Sequence, residues 1–361
     1  MSIMTNNFYW MPIIPTISES NRLFGWGHNM QGQLGDGTTL RKLIPSLSQF
    51  NIWKIIVTKL NHGIGIRADG RLFTWGFNVR GQLGDGTTID RRIPTLIGTD
   101  TWKIVSAGAN HSIGIRTDGR LFTWGWNEHG QLGDGTTINR HIPTLIGTDT
   151  WRIVSAGANH SIGIRTDGRL FTWGRNDSGQ LGDGTTIDKH IPTLIGTDTW
   201  NNISGYDHSL GIRSNGQLFA WGLNGNGQLG DGTTINRHVP TLIGTDIWKI
   251  VSAGHSHSIG IRADGRLFTW GFNIHGQLGD GTTTQRLIPT LIGTDTWRIV
   301  SAGVFHSIGI RADNRLFTWG ANFEGAIGDG TTIDRHVPTL IGTDTWNVVS
   351  GGEAHSLGIK F

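Results

Sequence analysis

Seven histidines recur along the chain and are the side chains best suited to chemistry. They are separated by 49 residues, except for one step of 48, and are His62, His111, His160, His208, His257, His306 and His355. Imidazoles bind metals and carry protons, so a ring of them raises two hypotheses, a metal site and a proton relay. A metal site, however, needs three or four ligands that converge on one point. A residue repeated once per unit is spread around the molecule, and we interpret each histidine as a hydrogen-bonded spacer at the start of a strand.

The repeated Gly-Asp-Gly-Thr-Thr segment, as at residues 133–137, is the second candidate for chemistry. A calcium loop needs several alternating oxygen ligands and a bidentate acid, whereas each copy here has one Asp. A tight turn in which the Asp caps nearby amides explains the segment better. No Gly-Lys-Ser/Thr phosphate loop is present, and no serine stands out as a nucleophile. We therefore predict a protein that is not an enzyme, with no catalytic residues, metal site or cofactor.

The repeat itself predicts the architecture. Trp-Gly pairs start at Trp26, Trp75, Trp124, Trp173, Trp221, Trp270 and Trp319, and a period of this length is typical of solenoids, propellers or arrays. Short β-branched and aromatic runs divided by Gly, Asn and Asp indicate strands. Each unit has four: A near residues 103–106, B near 111–116, C near 121–124 and D near 142–146. Pro143 cannot donate to a ladder, so D suits the outer edge of a sheet.

The side-chain pattern of the middle strands indicates how the sheets stack. In strand B, His111, Ile113 and Ile115 share one face, and Ser112 and Gly114 share the other. We expect large side chains of one sheet to enter the glycine hollows of the next. Four-stranded sheets repeated radially make a β-propeller, so we predict an all-β fold.

The two ends of the chain predict how the ring closes. The chain enters the repeat at strand C, at residues 22–27, and leaves it after strand B, at residues 346–360. Each end is half a blade, and pairing them in one sheet gives seven blades and removes the exposed edges. We expect a propeller over residues 21–361, preceded by an apolar arm over residues 1–20.

The composition limits the other functions. Thirty basic and 27 acidic residues give a net charge of +3, and there is no cysteine. No stretch approaches the ~18 apolar residues of a membrane helix, and residues 1–20 have neither the basic start nor the unbroken apolar core of a signal peptide. The sequence does not decide the compartment: both the cytoplasm and a virion or surface layer are compatible with it. The arm either lies on the domain or engages a partner or another copy through Phe8, Tyr9, Trp10, Met11, Ile13 and Ile14.

The recurring string Ser-Ala-Gly-x-x-His-Ser…Asp-Gly-Arg-Leu-Phe-Thr-Trp-Gly-x-Asn-x-x-Gly-Gln-Leu-Gly-Asp-Gly resembles the repeat of the RCC1 (regulator of chromosome condensation) family. The resemblance covers the chain after residue 21 and implies a seven-bladed propeller. Family members act as exchange factors for Ran, chromatin binders, an ultraviolet photoreceptor, β-lactamase inhibitors and interaction domains, and a shared fold does not choose among them.

Three of these activities can be compared with residues of this chain. The constant spacing leaves no room for the β-wedge that the exchange factor inserts into its partner. The chromatin binder uses a basic tail, but residues 1–20 carry no Lys or Arg, which disfavours nucleic acid. The photoreceptor's motif tryptophan is absent at the matching positions, which are Leu60, Ala109, Ala158, Tyr206, His255, Val304 and Glu353.

Differences between copies fall mainly on one face. We call the face of the A–B and C–D loops the loop face, and that of the B–C hairpins and D–A links the hairpin face. The hairpin face is nearly constant, and we expect its repeated Arg and Asp, as at Arg67 and Asp100, to form surface pairs. The predicted partner-binding residues are the variable ones of the loop face: Phe77, Arg80, Trp126, Glu128, His129, Arg175, Asp177, Tyr206, Asp207, Leu223, His255, Phe272, His275, Val304, Phe305, Phe323 and Glu324.

The sequence thus favours a protein-binding scaffold, because binding residues concentrate in loops on rigid supports. Three alternatives remain open. Neutral drift in exposed loops would also produce variation, although it should affect both faces. A self-assembling structural protein would use the arm, and an exchange factor would act on a Ran-like GTPase.

Overall fold

Each repeat of the chain contributes one four-stranded antiparallel sheet of a closed ring. The computed structural model describes residues 21–361; the arm residues Phe8 to Ile14 lie outside them. Within these residues the chain folds into 22 strands and no helix. The strands are β1 (Leu23–Gly27), β2 (Lys42–Gln49), β3 (Trp53–Lys59), β4 (His62–Arg67), β5 (Arg71–Gly76), β6 (Arg91–Ala107), β7 (His111–Arg116), β8 (Arg120–Gly125), β9 (Arg140–Ala156), β10 (His160–Arg165), β11 (Arg169–Gly174), β12 (Lys189–Gly205), β13 (His208–Arg213), β14 (Gln217–Gly222), β15 (Arg237–Ala253), β16 (His257–Arg262), β17 (Arg266–Gly271), β18 (Arg286–Ala302), β19 (His306–Arg311), β20 (Arg315–Gly320), β21 (Arg335–Gly351) and β22 (His355–Lys360).

Strands D and A were expected as separate strands, and this is wrong. They form one continuous strand of 17 residues, such as β9, whose first half pairs with strand C of one blade and whose second half pairs with strand B of the next. The chain changes blades at Gly147, which has a φ of 61°. Glycine accepts this left-handed conformation without a steric penalty, so the backbone turns between sheets without ending the strand.

Blade 1 consists of β3, β4, β5 and the first half of β6, and the same pattern continues to blade 6, which ends in the first half of β21. Blade 7 combines the second half of β21 with β22, β1 and β2. Within it, β1 and β22 pair antiparallel from Leu23–Ile359 to Gly27–His355. The predicted closure through both ends of the chain is confirmed.

The packing between blades differs from the expected one in one detail. The glycine hollows of strand B are filled by a tryptophan of the same sheet: a Cβ on Gly114 would lie 2.7 Å from Cζ3 of Trp102 in strand A. The Ile and Leu side chains of the preceding blade then pack on these tryptophans, as Ile64 does against Trp102 and Trp124. Seven such clusters form the core.

The recurring histidines are buried and join neighbouring blades, as predicted for spacers. His111 Nε2 lies 3.0 Å from the hydroxyl of Ser161 in the next blade, and that hydroxyl donates to the carbonyl of Gln131 at 2.8 Å. Because the serine donates to a carbonyl, it accepts the Nε2–H of the histidine. Burial lowers the pKa of all seven, to about 3 or 4, so the rings are neutral at pH 7.

Candidate protein-binding face

The C–D loops are rigid because one Asn and one Asp bind their backbone in each copy. Asn127 Nδ2 donates to the carbonyls of Thr136 at 3.0 Å and Ile138 at 3.1 Å. Asp134 accepts the N–H of Thr136 at 3.0 Å and the Nε–H of Arg140 at 2.7 Å. Burial opposes ionisation, but these hydrogen bonds outweigh it and lower the pKa of Asp134. The predicted turn is confirmed, and no group of metal-binding side chains occurs among residues 21–361.

The residue after this Asn forms the tip of each C–D loop. Four consecutive blades, 5, 6, 7 and 1, expose a large apolar side chain there, which we call the apolar arc: Ile274 is 60 % exposed, Phe323 50 %, Met30 71 % and Val79 55 %. Blades 2 and 3 carry Glu128 and Asp177 at the same position, and blade 4 carries Gly225. Only Phe323 of the arc was in the predicted set. The shared register in the repeat would have identified the other three.

The A–B loops meet at the propeller axis and form what we call the central cluster: Leu60, Tyr206, His255, Val304 and Phe305. The Tyr206 and His255 rings lie 5.3 Å apart, and those of His255 and Phe305 lie 6.1 Å apart. Tyr206 and Val304 are only 4 % and 5 % exposed, so they pack inside the cluster rather than on the face. Leu60 has a φ of 39°, and such strain in a non-glycine residue is often found at functional sites.

Lys59 lies directly beneath the central cluster and is not among the residues that the sequence predicts for this face. It ends strand A where five other blades have glycine: Gly108, Gly157, Gly254, Gly303 and Gly352. Its side chain crosses the axis, donates to the carbonyls of Ala156 at 2.8 Å and Gly205 at 2.5 Å, and lies 4.8 Å from the centre of the Tyr206 ring. The one lysine at a position that is otherwise glycine is the feature of the sequence that could have identified this residue.

An acidic group lies beside this lysine. The Asp207 carboxylate is 3.7 Å from His255 Nε2. Burial raises the pKa of Asp207, and the nearby His255, Arg175 and Lys59 side chains offset this only in part. Burial likewise lowers the pKa of Lys59 to about 7, against the attraction of Asp207.

Two further groups of predicted residues lie towards the rim. In blades 1 to 3, Arg80 lies 5.7 Å from the centre of the Trp126 ring, and Trp126 lies 5.5 Å from His129, whose Nδ1 is 3.1 Å from Asp188. In blades 5 and 6, His275 lies 5.8 Å from the Phe305 ring and 3.1 Å from Asp334.

The remaining predicted residues are also placed on this face. Arg175 pairs with Asp177 in one loop, and Glu324 lies 3.5 Å from Arg41 of blade 7. The N–H groups of the first C–D residues donate to A–B carbonyls and tie the two loops of a blade together; they belong to Phe77, Leu223 and Phe272.

The hairpin face carries the expected ion pairs. Arg116 Nη1 lies 3.1 Å from Asp100, and equivalent pairs recur at Asp149, Asp198, Asp246, Asp295 and Asp344. These pairs are largely exposed and contribute little stability individually.

Family models match the repeats whose loops and strands are described above. The RCC1-like domain model matches residues 153–358, and the regulator of chromosome condensation (RCC1) repeat model matches residues 20–56, 69–115 and 118–164. The chain belongs to the RCC1-like family. No curated protein sequence matches it significantly.

Two solved RCC1-like structures illustrate the shared fold. Prp20p from Saccharomyces cerevisiae is 21 % identical, with a TM-score of 0.86 and coverage of 98 % of this chain and 93 % of Prp20p. Human WBSCR16 is 20 % identical, with a TM-score of 0.85 and coverage of 94 % and 98 %. At these identities the similarity shows the fold alone. No helix among residues 21–361 is long and apolar enough to cross a membrane.

Proposed function

We propose that this RCC1-like propeller is a non-enzymatic protein-binding scaffold that uses its loop face. The apolar arc is the observation that carries the proposal. Exposed apolar side chains occupy the same loop position in four consecutive blades, and exposed apolar patches are typical of interaction sites.

The surroundings of the arc match the composition of protein interfaces. Aromatic residues and Arg are enriched in interface cores, and polar rims surround them. Trp126, Arg80 and His129 form one such aromatic and basic group, and Phe305 joins the central cluster to the rim at His275. A partner with an apolar centre and a charged border would fit this face.

The relatives give the proposal a precedent. The structure of Prp20p was described with its binding to Gsp1p and histones, and a second structure shows yeast RCC1 bound to Kap60. Each of these is a property of that protein. They support only the idea that an RCC1-like ring serves as a platform for other proteins.

Loop lengths favour the scaffold over an exchange factor for a small GTPase. The β5–β6 and β8–β9 connections span residues 77–90 and 126–139, and the equivalent loops of the other blades have the same length. Among residues 21–361 no loop therefore carries an extra hairpin. We expect no acceleration of nucleotide release from a Ran-type GTPase.

Charge substitutions at the loop tips test the proposal. I274D and F323D should each weaken capture of a specific partner from source-cell extract by at least tenfold, because a carboxylate would be buried in an apolar interface. I142D is the matched control, since Ile142 on outer strand D is 59 % exposed, almost as much as Ile274. Equal capture by all variants would contradict the proposal.

Self-association through the arm is the remaining alternative, and it has its own test. Light scattering on the full chain and on the chain without residues 1–20 distinguishes the two. We expect monomers in both. An oligomer that dissociates when residues 1–20 are deleted would contradict the scaffold proposal and favour a self-assembling structural protein.

A further inference from the structure

The propeller axis contains a cavity of about 410 Å³ lined by the A strands of all seven blades. It is closed on the loop face, because Ala109, Ala158, Tyr206 and Val304 of different blades pack into one cluster with Leu60 across the axis. Lys59 lies below this cluster and lines the cavity. The cavity is thus a blind pocket, and its volume falls within the range of about 300–1,000 Å³ typical of small-molecule sites.

The other end of the pocket, towards the hairpin face, carries positive charge, because Lys103 and Arg152 line it. The residue after the A-strand tryptophan is basic in five of the seven blades, namely Lys54, Lys103, Arg152, Lys249 and Arg298, and is Asn201 or Asn347 in the others. Arg298 reaches the neighbouring blade, donating to the Trp346 carbonyl at 2.8 Å. Positive side chains at this end attract anions towards the opening.

Serine hydroxyls encircle the pocket near its closed end. Each accepts a backbone N–H from the next blade, as Ser106 does from Ala156 at 3.0 Å and Ser204 does from Ala253 at 2.9 Å. The O–H bonds of five of them have no acceptor among residues 21–361; they belong to Ser106, Ser155, Ser204, Ser252 and Ser301. Ser252 and Ser301 are buried, Ser106, Ser155 and Ser204 are half-buried, and all five line the pocket, so these donors suit a ligand that supplies oxygen acceptors.

Lys59 completes a donor-rich end. Its ammonium has three N–H bonds, and two are spent on the carbonyls of Ala156 and Gly205. No carboxylate among residues 21–361 lies within ion-pair distance of it. Below the serines the walls are apolar, with Ile55, Ile104 and Ile153. The pocket therefore combines one half-buried lysine, a ring of hydroxyl donors and an aliphatic wall.

We infer that this pocket binds a small organic carboxylate with an aliphatic body. The ligand enters from the hairpin face and places its carboxylate against Lys59 and the serine ring. The single half-buried lysine matches one negative charge, and the apolar wall matches the aliphatic body. The site opens on the face opposite the proposed protein-binding surface. It does not depend on the proposed function.

Calorimetric titration of the full chain with octanoate, 1-octanol and inorganic sulfate tests this inference. Octanoate should bind at least tenfold more tightly than octanol, which has the same body without the charge. Octanol binding as well as octanoate would overturn the inference, and so would binding of sulfate alone or no binding at millimolar concentration.

Lys59→Met should weaken octanoate binding at least tenfold. Lys189→Met is the control, because it removes an equal charge from a lysine that pairs with Asp183 in a C–D loop. Unchanged binding by K59M would overturn the inference.

A measurement on the unmodified chain covers the case in which K59M does not fold. The pKa of Lys59 is lowered to about 7 by burial, so at pH 8 the amine is largely neutral, and binding a carboxylate should draw a proton onto it. Titrations in buffers of different ionisation enthalpy should show proton uptake at pH 8 and little at pH 6. Burial raises the pKa of Tyr206 and lowers the pKa values of His160 and His208 to about 3, so these neighbours move away from pH 8. Burial raises the pKa of the neighbouring Asp207 from its ordinary low value. Binding without uptake at pH 8 would contradict the role of Lys59.

Discussion

Removing one histidine–serine bridge should destabilise the whole ring measurably, and Ser307→Ala is the substitution that shows it. The Ser307 hydroxyl lies 3.0 Å from Nε2 of His257 in the preceding blade and donates to the carbonyl of Gln277 at 2.8 Å. His257 and Ser307 are fully buried. Losing the hydroxyl leaves one N–H and one carbonyl without this partner, each costing about 1–3 kcal/mol. We therefore expect the free energy of unfolding to fall by about 2–6 kcal/mol.

Blade 1 shows how the loss can be repaired. Gly63 stands where the other blades have this serine, and the hydroxyl of Thr58 lies 2.7 Å from Nε2 of His355 instead. Ala302 occupies the position of Thr58 in the blade of Ser307. Adding A302T to S307A should therefore restore about 1–2 kcal/mol, the value of one buried hydrogen bond.

Equilibrium urea unfolding followed by tryptophan fluorescence measures both effects. Ser46→Ala is the control, because that hydroxyl lies on the exposed outer strand and bonds only the carbonyl of Ile44; it should change stability by less than about 0.5 kcal/mol. The reasoning would be refuted by S307A behaving like S46A, or by A302T destabilising the chain further in the S307A background.

Two further predictions concern the same core. All seven buried histidines have pKa values of about 3 or 4 when folded, against about 6.5 when unfolded, so only the unfolded state takes up protons as the pH falls below 6.5. At about 1.4 kcal/mol each, stability should fall by about 10 kcal/mol between pH 7.5 and 5.5; urea midpoints that do not change with pH would disprove this. Gly163→Ala should cost about 2–3 kcal/mol by overpacking, because its Cβ would lie 2.5 Å from Cζ3 of Trp151. In Gly147→Ala the added Cβ has no atom within 4 Å. The only cost is the left-handed φ of +61°, about 1 kcal/mol. An equal loss of stability in both variants would therefore argue against the tryptophan contact.

The fold could be predicted from the sequence because its determinants are local and repeated. The Asp118-Gly119 hairpin and the alternation in strand B both appear in one unit of about 49 residues, and the split of one blade follows from the phase of the repeat at the two ends of the chain. The continuity of strands D and A could not be predicted, because a glycine such as Gly147 between two β-branched runs normally indicates the end of a strand. Only the structure shows that the backbone keeps its pairing on both sides of it.

The candidate site was only partly predictable. The apolar arc follows from aligning the copies, since Met30 and Val79 occupy the register of Phe323. The central cluster does not, because it depends on contacts across the axis between residues far apart in the chain. Lys59 and Gly205 are separated by 146 residues, yet they share a hydrogen bond. Burial of Tyr206 and Val304 likewise depends on how the loops converge.

Site-specific photo-crosslinking tests the central claim, that the loop face binds a protein, most directly. A photoreactive amino acid replaces either Phe323 or Val79 on the apolar arc, or Ile142 on the outer strand, which is similarly exposed. We predict that both arc positions cross-link the same protein in source cells and that position 142 does not. Cross-linking of that protein at position 142 with equal yield, or no cross-link from either arc position, would contradict the account.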